Sequence, residues 1–248
     1  MSHYFFIIFI TENVDKLMDQ NKNNKKDSPF IQFLPFQHLI TEDQKEKIVL
    51  SSFLEEYSRK EIIFSQGVNI DNIAFVLSGL VKISRELRKG KNIILRIAQP
   101  GTILGLSSVF TDEVFNYTAS AIDNVLIGYV NRKVFSDIVK DNGAFGFEIT
   151  KQMGLDNAYI TSRLSSLLYK QLPGRVSDII LYFAQEIYKS NTFNIPLTRQ
   201  ELAELAGTTK ESLIRTLSEF NHDKIISLNR NTLSIISLNI IQTLSRLG

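Results

Sequence analysis

Hydrophobic positions change their spacing along this chain of 248 residues. From Ile62 onward, short β-rich runs alternate with turns, and the glycines that mark those turns recur 11 or 12 residues apart, at 67, 79, 90 and 101. Short strands with regular turn spacing are typical of an all-β sandwich or barrel. The pattern predicts strands at 62–64, 73–77, 80–84, 93–98, 117–122 and 125–130, after a helix over 41–57.

A helical period follows over about 142–170. Its apolar residues recur at steps of four, three and four along one line that also contains Asp156, and they are Ile149, Met153, Ile160, Leu164 and Leu167. This spacing is close to a heptad seam. Because two-fold dimers are the commonest oligomers, we expect a homodimer through this helix. The alternative is a helix packed wholly within one chain.

The C-terminal third begins with a helix break at Leu172-Pro173-Gly174 and a helix over 175–189. The stretch 197–220 then predicts two helices joined at Gly207, and each has a Thr-x-x-Glu capping box at its start, Thr198 with Glu201 and Thr208 with Glu211. This is the pattern of a helix-turn-helix, although an ordinary helical hairpin would also fit. Two short strands around 229–231 predict a wing, and 237–247 a final helix.

Composition narrows the classes of protein without naming a partner. The net charge is +2, and 44% of residues are hydrophobic. The absence of Cys excludes a Cys-ligated iron–sulfur cluster and a thiol nucleophile, and it fits a cytoplasmic location. No apolar run predicts a membrane span. We interpret the apolar stretch 4–10 as a short strand or tail rather than a signal, and 19–27 as a linker. No catalytic or metal-binding pattern indicates an enzyme.

The order of parts resembles the Crp/Fnr superfamily of bacterial transcription regulators. The sequences that carry the resemblance are FVLSGLVKI at 75–83, IILRIAQPGTILG at 93–105, YTASAI at 117–122, PGRVSDIILYFAQ at 173–185 and LTRQELAELAGTTKESLIRTL at 197–217. The resemblance implies an α+β fold with an N-terminal double-stranded β-helix, or jelly roll, that senses a ligand. The expected division is a tail at 1–29, a cyclic-nucleotide-binding-like β-roll at 30–140, a dimerisation helix at 141–171 and a winged helix-turn-helix domain at 172–248.

The second helix of the helix-turn-helix is the expected DNA-reading element. Members of the family often carry Arg-Glu at its start and Arg one turn after the Glu, and here Lys210, Glu211 and Arg215 occupy those places. Arginine can donate two bonds to guanine, and glutamate can accept one from cytosine. Lys210 offers the point charge of an ammonium group instead of the two parallel N–H donors of an arginine guanidinium. Phosphate contacts are expected at the helix starts, from Thr198, Arg199, Thr208, Thr209 and Ser212.

The sensing end departs from the cyclic-AMP-binding pattern of the family. Leu106 follows Gly105 where such members carry a Glu for the ribose, and Tyr117-Thr118 stands in place of an Arg-Ser pair for the phosphate. Ile160-Thr161 stands in place of a Thr-Ser pair on the long helix. A buried phosphate without a cation is costly, so cyclic AMP is not the expected effector. Two possibilities remain. Either the protein has no effector, or an unknown small-molecule effector binds near Gly105, Leu106, Ser107, Tyr117, Thr118, Ile160 and Thr161.

The resemblance therefore implies a homodimeric regulator that reads a palindromic operator in double-stranded DNA and works with RNA polymerase. A second hypothesis is a ligand-sensing regulatory module that acts through a protein partner instead of DNA. The charge count from Thr198 to Arg230 predicts only modest non-specific affinity for DNA, because five basic and five acidic residues cancel.

Overall fold

The computed structural model describes residues 31, 34–88, 90–111 and 114–248. The stretches 4–10 and 19–27 lie outside the described residues. The chain divides into two compact units: residues up to Glu86 together with Arg96–Asn157, and Leu87–Leu95 together with Ala158–Gly248. Among the described residues, no helix is long and apolar enough to cross a membrane.

The first unit is built on two four-stranded antiparallel sheets, of which only the hairpin tip Leu87–Leu95 is grouped with the second unit. Their strands are β1 (Ser52–Tyr57), β2 (Ile62–Phe64), β3 (Asn72–Ser78), β4 (Val81–Arg88), β5 (Lys91–Ala98), β6 (Ile103–Leu104), β7 (Thr118–Ala121) and β8 (Val125–Asn131). One sheet has the order β1-β8-β3-β6 and the other β2-β7-β4-β5. The chain passes repeatedly from one sheet to the other, which is the arrangement of a jelly roll. The predicted fold class is confirmed.

Helices cover the outer face of the sheet that contains β3 and β8. These are α1 (Glu42–Ser51) and α3 (Arg132–Asp141), while the short α2 (Leu106–Val109) follows β6. Nearly every residue of β3 and β8 is buried, as expected for strands covered on both faces. Ile48, Phe75, Val130 and Phe135 belong to one apolar cluster that joins these helices to the sheet.

Four local elements of the first unit, including the short α2, differ from the sequence prediction. The helix predicted over 41–57 ends at Ser51, because residues 52–57 pair with β8 from Ser52↔Val130 to Tyr57↔Val125. Sheet pairing here overrides the local helical pattern. The pattern also missed β6 and α3, although α3 has a clear start signal: the Asn131 side chain accepts from the N–H groups of Lys133 and Val134.

The long helix α4 (Gly143–Tyr169) has 27 residues and confirms the predicted helix. Ile149 near its start is buried in the first unit. Further along the predicted seam, apolar side chains are solvent-exposed: Met153 by 36%, Ile160 by 45% and Leu164 by 55%. The seam therefore presents apolar surface to solvent along most of its length.

The second unit contains α5 (Leu172–Leu181), a π-helical segment (Tyr182–Ile187), β9 (Thr192–Asn194), α6 (Arg199–Ala206), α7 (Lys210–His222), β10 (Ile226–Asn229), β11 (Thr232–Ile235) and α8 (Leu238–Leu247). The helix predicted over 175–189 starts earlier, since Pro173 lies in the first turn of α5, where no intrahelical N–H is needed. The predicted wing and final helix are present. The sheet order is β10-β11-β9, and the sequence pattern missed β9.

Candidate functional site

The turn between α6 and α7 is fixed by local backbone chemistry. The Thr198 hydroxyl accepts from the Glu201 N–H at 3.2 Å, and the Glu201 carboxylate accepts from the Thr198 N–H at 2.9 Å, so the first predicted capping box is present. Gly207 ends α6 with φ +62°, a conformation that residues with a Cβ rarely adopt. A Cβ on Gly207 would also lie 2.5 Å from Cδ2 of Leu167.

The second predicted capping box, Thr208 with Glu211, is wrong, because α7 is capped one residue later by a single threonine. Thr209, not Thr208, caps α7, and its hydroxyl accepts from the Ser212 N–H at 3.2 Å. The Thr208 N–H instead donates to the Ala203 carbonyl at 3.0 Å, which completes a Schellman motif at the end of α6. Because that motif uses Thr208, the next helix starts one residue later.

The solvent-facing side of α7 forms what we term the reading face, which consists of Lys210, Glu211, Ile214, Arg215 and Ser218. All five are exposed, whereas Leu213, Thr216, Leu217 and Phe220 on the other side are buried. Glu211 and Arg215 lie one helical turn apart, so an acceptor and a forked donor are presented side by side. Ser218 was not predicted, but its position one turn beyond Arg215 could have indicated it.

Two arginines that the sequence analysis did not single out hold the end of α6. Arg163, in α4, donates through Nη2 to the Leu205 carbonyl, and Arg175, in α5, donates through Nε to the Ala206 carbonyl at 2.9 Å. The last carbonyls of a helix have no intrahelical partner, and cations are favoured there. These contacts fix α6, and through the turn α7, to the neighbouring helices of the second unit.

Arg199 lies at the start of α6 and contacts the wing. Its Nη2 donates to the Arg230 carbonyl at 2.7 Å in the turn between β10 and β11. Burial lowers the pKa of the Arg199 guanidinium. Thr198 and Thr209 are exposed, while Thr208 and Ser212 are half-buried. The predicted phosphate-contacting residues therefore lie around the two helix starts, and Arg199 already has a protein partner.

In the first unit, the candidate effector site is occupied by the protein's own aromatic groups. Gly105 has φ +84°, and its N–H donates to the Tyr117 hydroxyl at 2.6 Å. The Phe115 ring lies against Gly105, so a Cβ there would approach the ring to 2.8 Å. Phe115 stacks on Phe64 with ring centroids 3.7 Å apart. Burial raises the pKa of Tyr117 to about 12.

The remaining predicted effector residues differ in their environments. Leu106 is buried, Ser107 is exposed, and the Thr118 hydroxyl accepts from the Gln66 N–H at 3.0 Å. Ile160 and Thr161 are exposed on α4 and belong to the second unit. In the sequence, Tyr117-Thr118 leaves this region without the cation that the family pattern provides.

The structure nevertheless shows a cation that the sequence analysis did not name. Arg96 on β5 forms an ion pair of 2.6 Å with Asp156 of α4. Both charges act on the pKa of Tyr117, the carboxylate raising it and the guanidinium lowering it. The neighbourhood of Tyr117 thus contains a cation that is already neutralised by a carboxylate of the same chain.

A jelly roll followed by a long helix and an exposed helix-turn-helix defines a sensor-linked DNA-binding regulator. Comparison with known families agrees, since a cyclic nucleotide-binding domain model matches residues 54–142 and a Crp-like helix-turn-helix domain model matches residues 163–245. The chain belongs to the Crp/Fnr family of transcriptional regulators, a family that is not enzymatic.

Individual relatives are distant. The anaerobic regulatory protein of Bacillus subtilis (strain 168) is 25% identical over 198 residues, covering 78% of this chain and 83% of that protein. The CRP-like cAMP-activated global transcriptional regulator of Mycobacterium tuberculosis (strain H37Rv) is 24% identical over 184 residues, covering 73% and 82%. The structure of FixK2 from Bradyrhizobium japonicum shares the fold with a TM-score of 0.73 at 17% identity, covering 79% of this chain and 98% of that one.

Proposed function

We propose that this regulator acts as a homodimer on a palindromic operator, and that its signal is something other than cyclic AMP. The observation that carries the proposal is the reading face, where Glu211 and Arg215 are exposed one turn apart on a helix whose opposite side is buried. Two such helices, related by a two-fold axis, would read half-sites about one DNA turn apart. The same proposal includes RNA polymerase as a partner and a cytoplasmic location. It also divides the chain by function into a sensing part at 30–140, a dimerisation helix at 141–171 and a DNA-binding part at 172–248.

Substitution of the reading face tests the base contacts. Arg215→Ala should weaken binding to the selected operator by about 1–3 kcal/mol and relax the preference at one base pair. The probe is DNA that the parent protein selects from a random-sequence library, measured by fluorescence anisotropy. Lys133→Ala is the matched control, because it also removes one exposed positive charge but lies on α3 of the first unit. Equal affinity of Arg215→Ala and the parent for every DNA would show that the groove assignment is wrong.

Phosphate contacts are proposed for Thr198, Thr208, Thr209 and Ser212, and the exposed cation Lys210 beside them implies a salt-dependent affinity. Each neutralised phosphate steepens the fall of log K with log salt by about 0.9. Because the local charges from Thr198 to Arg230 cancel, we expect weak non-specific binding and a larger share of the affinity from the operator sequence. Association without any salt dependence would favour the second hypothesis, in which the chain acts through a protein partner.

The exposed seam of α4 supports the homodimer. A solvated helix normally presents polar residues, but Met153, Ile160 and Leu164 are exposed at steps of seven and four. Leu164→Glu should shift the protein from dimer to monomer in sedimentation velocity, since it would bury two charges at a two-fold seam. Ser162→Glu adds the same charge about 160° away around the helix and should leave the dimer intact. A dimer that survives Leu164→Glu would assign the contact to another surface.

The closed interior near Gly105 supports an effector other than cyclic AMP. The Gly105 N–H is bonded to Tyr117, Phe115 covers Gly105, and Arg96 is paired with Asp156. A nucleotide would therefore have to displace contacts that the chain already makes. Calorimetry with cyclic AMP should show no binding at micromolar concentration. A clear isotherm there would overturn the proposal about the effector while leaving the proposal about DNA unaffected.

A further inference from the structure

The first residue of α6 is a cation at a place where helices favour acidic residues. Arg199 begins α6, and positive charge at a helix N-terminus is opposed by the helix dipole. The residue therefore does not serve to stabilise its own helix. Its hydrogen bond to the Arg230 carbonyl, at 2.7 Å, shows a different role, because it joins the start of α6 to the wing.

The turn at the tip of the wing needs such support. Asn229 pairs with Thr232, so Arg230 and Asn231 form a two-residue hairpin turn. Arg230 has φ +51°, and turns of this kind favour Gly or Asn at a position with positive φ. A second bond holds the same turn, from the Ile195 N–H to the Asn231 carbonyl at 2.8 Å. The wing is thus held from outside on both residues of its turn.

We propose that Arg199 is a positioning residue that holds the wing turn beside the reading helix, so that the exposed Arg230 side chain meets the DNA backbone. The geometry disfavours a direct phosphate contact by Arg199. Its Nη2 is bonded to the wing, and its Nη1 is buried without a hydrogen-bond partner among the described residues. The proposal rests on DNA binding by this domain and assigns how one part of it is oriented.

A double-mutant cycle on the full-length protein separates the two roles. DNA affinity is measured for Arg199→Gln, Arg230→Gln and the double variant, with DNA selected by the parent from a random-sequence library. Arg199→Gln should weaken binding about tenfold, which corresponds to about 1.4 kcal/mol. The double variant should bind no more weakly than Arg230→Gln alone, because the first change acts through the wing. Losses that multiply would overturn the proposal and indicate an independent phosphate contact.

Lys210→Gln is the matched control, since it removes one exposed cation at the other helix start. Its loss should multiply with that of Arg230→Gln. Hydrogen exchange provides a readout other than affinity: Arg199→Gln should speed exchange in residues 226–235 and leave 210–222 unchanged. Faster exchange in both segments would show general loosening and also overturn the proposal. If the parent selected no DNA, the proposed function itself would fail, whereas the exchange result would still report on the wing contact.

Discussion

Removing the hydroxyl of Tyr117 should loosen the segment that begins at Gly105. In the parent, the Gly105 N–H donates to this hydroxyl at 2.6 Å, and the Phe115 ring closes the space beside Gly105. Tyr117→Phe keeps the ring and its contact with Phe64, where the centroids are 5.6 Å apart. The substitution therefore changes one hydrogen bond and little of the packing, which makes the expected effect specific to the backbone N–H.

The magnitude follows from the group that is left without a partner. A buried donor that loses its acceptor costs about 1–3 kcal/mol, and the lower half of this range applies because the bond between Gly105 and Tyr117 is only partly buried. We expect a loss of about 1–2 kcal/mol. For a protein of this length, such a loss corresponds to a fall in Tm of about 2–8 °C for the transition of the first unit. Exchange of the Gly105 amide should accelerate by about 5- to 30-fold.

Tyr169→Phe is the control for this prediction. Tyr169 is 84% exposed at the end of α4, so the same chemical change there removes a hydroxyl that water solvates. Its effect should stay within about 0.5 kcal/mol. Differential scanning calorimetry measures the transition, and amide exchange followed by mass spectrometry measures the segment around Gly105. If Tyr117→Phe left both the transition and the exchange unchanged, the hydroxyl would not be holding this backbone.

Three further changes test local features of the structure. Thr209→Ala should destabilise the second unit by about 1 kcal/mol in urea unfolding and Thr208→Ala by clearly less, because only Thr209 caps α7; equal losses would contradict the reassigned cap. Gly207→Ala should cost about 1–2 kcal/mol, since it places a Cβ at φ +62°, and an unchanged urea midpoint would mean that the turn relaxes without strain. Burial raises the pKa of Tyr117 and of Tyr57 to about 12, so between pH 10 and 12 these tyrosines lose their protons in the unfolded chain first. The free energy of unfolding, followed by circular dichroism, should therefore be constant below about pH 10 and fall between pH 10 and 12. Tyr117→Phe should make this fall less steep.

The helix-turn-helix was predictable because its signals are local. The capping box joins Thr198 to Glu201, three residues apart, and the end of the helix depends on the positive φ of Gly207 itself. Each signal therefore lies within one helical turn, and the structure has both. The start of α7 was predicted one residue too early for a local reason as well. Thr208 and Thr209 are both suitable caps, and only the backbone bond from Thr208 to Ala203 decides between them.

The features that the sequence did not reveal depend on residues far apart in the chain. Strand β1 reads as the end of a helix until β8 is available to pair with it, some 70 residues later. The ion pair of Arg96 with Asp156 joins residues 60 positions apart. The bonds from Arg163 to Leu205 and from Arg199 to Arg230 likewise link separate elements. A single sequence carries no signal for such pairs, because their spacing follows from the tertiary fold.

The two candidate sites differ in how far their polar groups are already satisfied. On the reading face, Glu211 and Arg215 are exposed, so hydrogen bonds to base edges would replace only bonds to water. Near Gly105, the backbone N–H, the phenol and the Arg96 guanidinium have partners within the chain. A ligand there would gain only the difference between its own contacts and those it breaks. Because of this difference, the geometry supports a DNA-reading role for the second unit more strongly than a nucleotide-sensing role for the first, although each unit matches a domain of the same family.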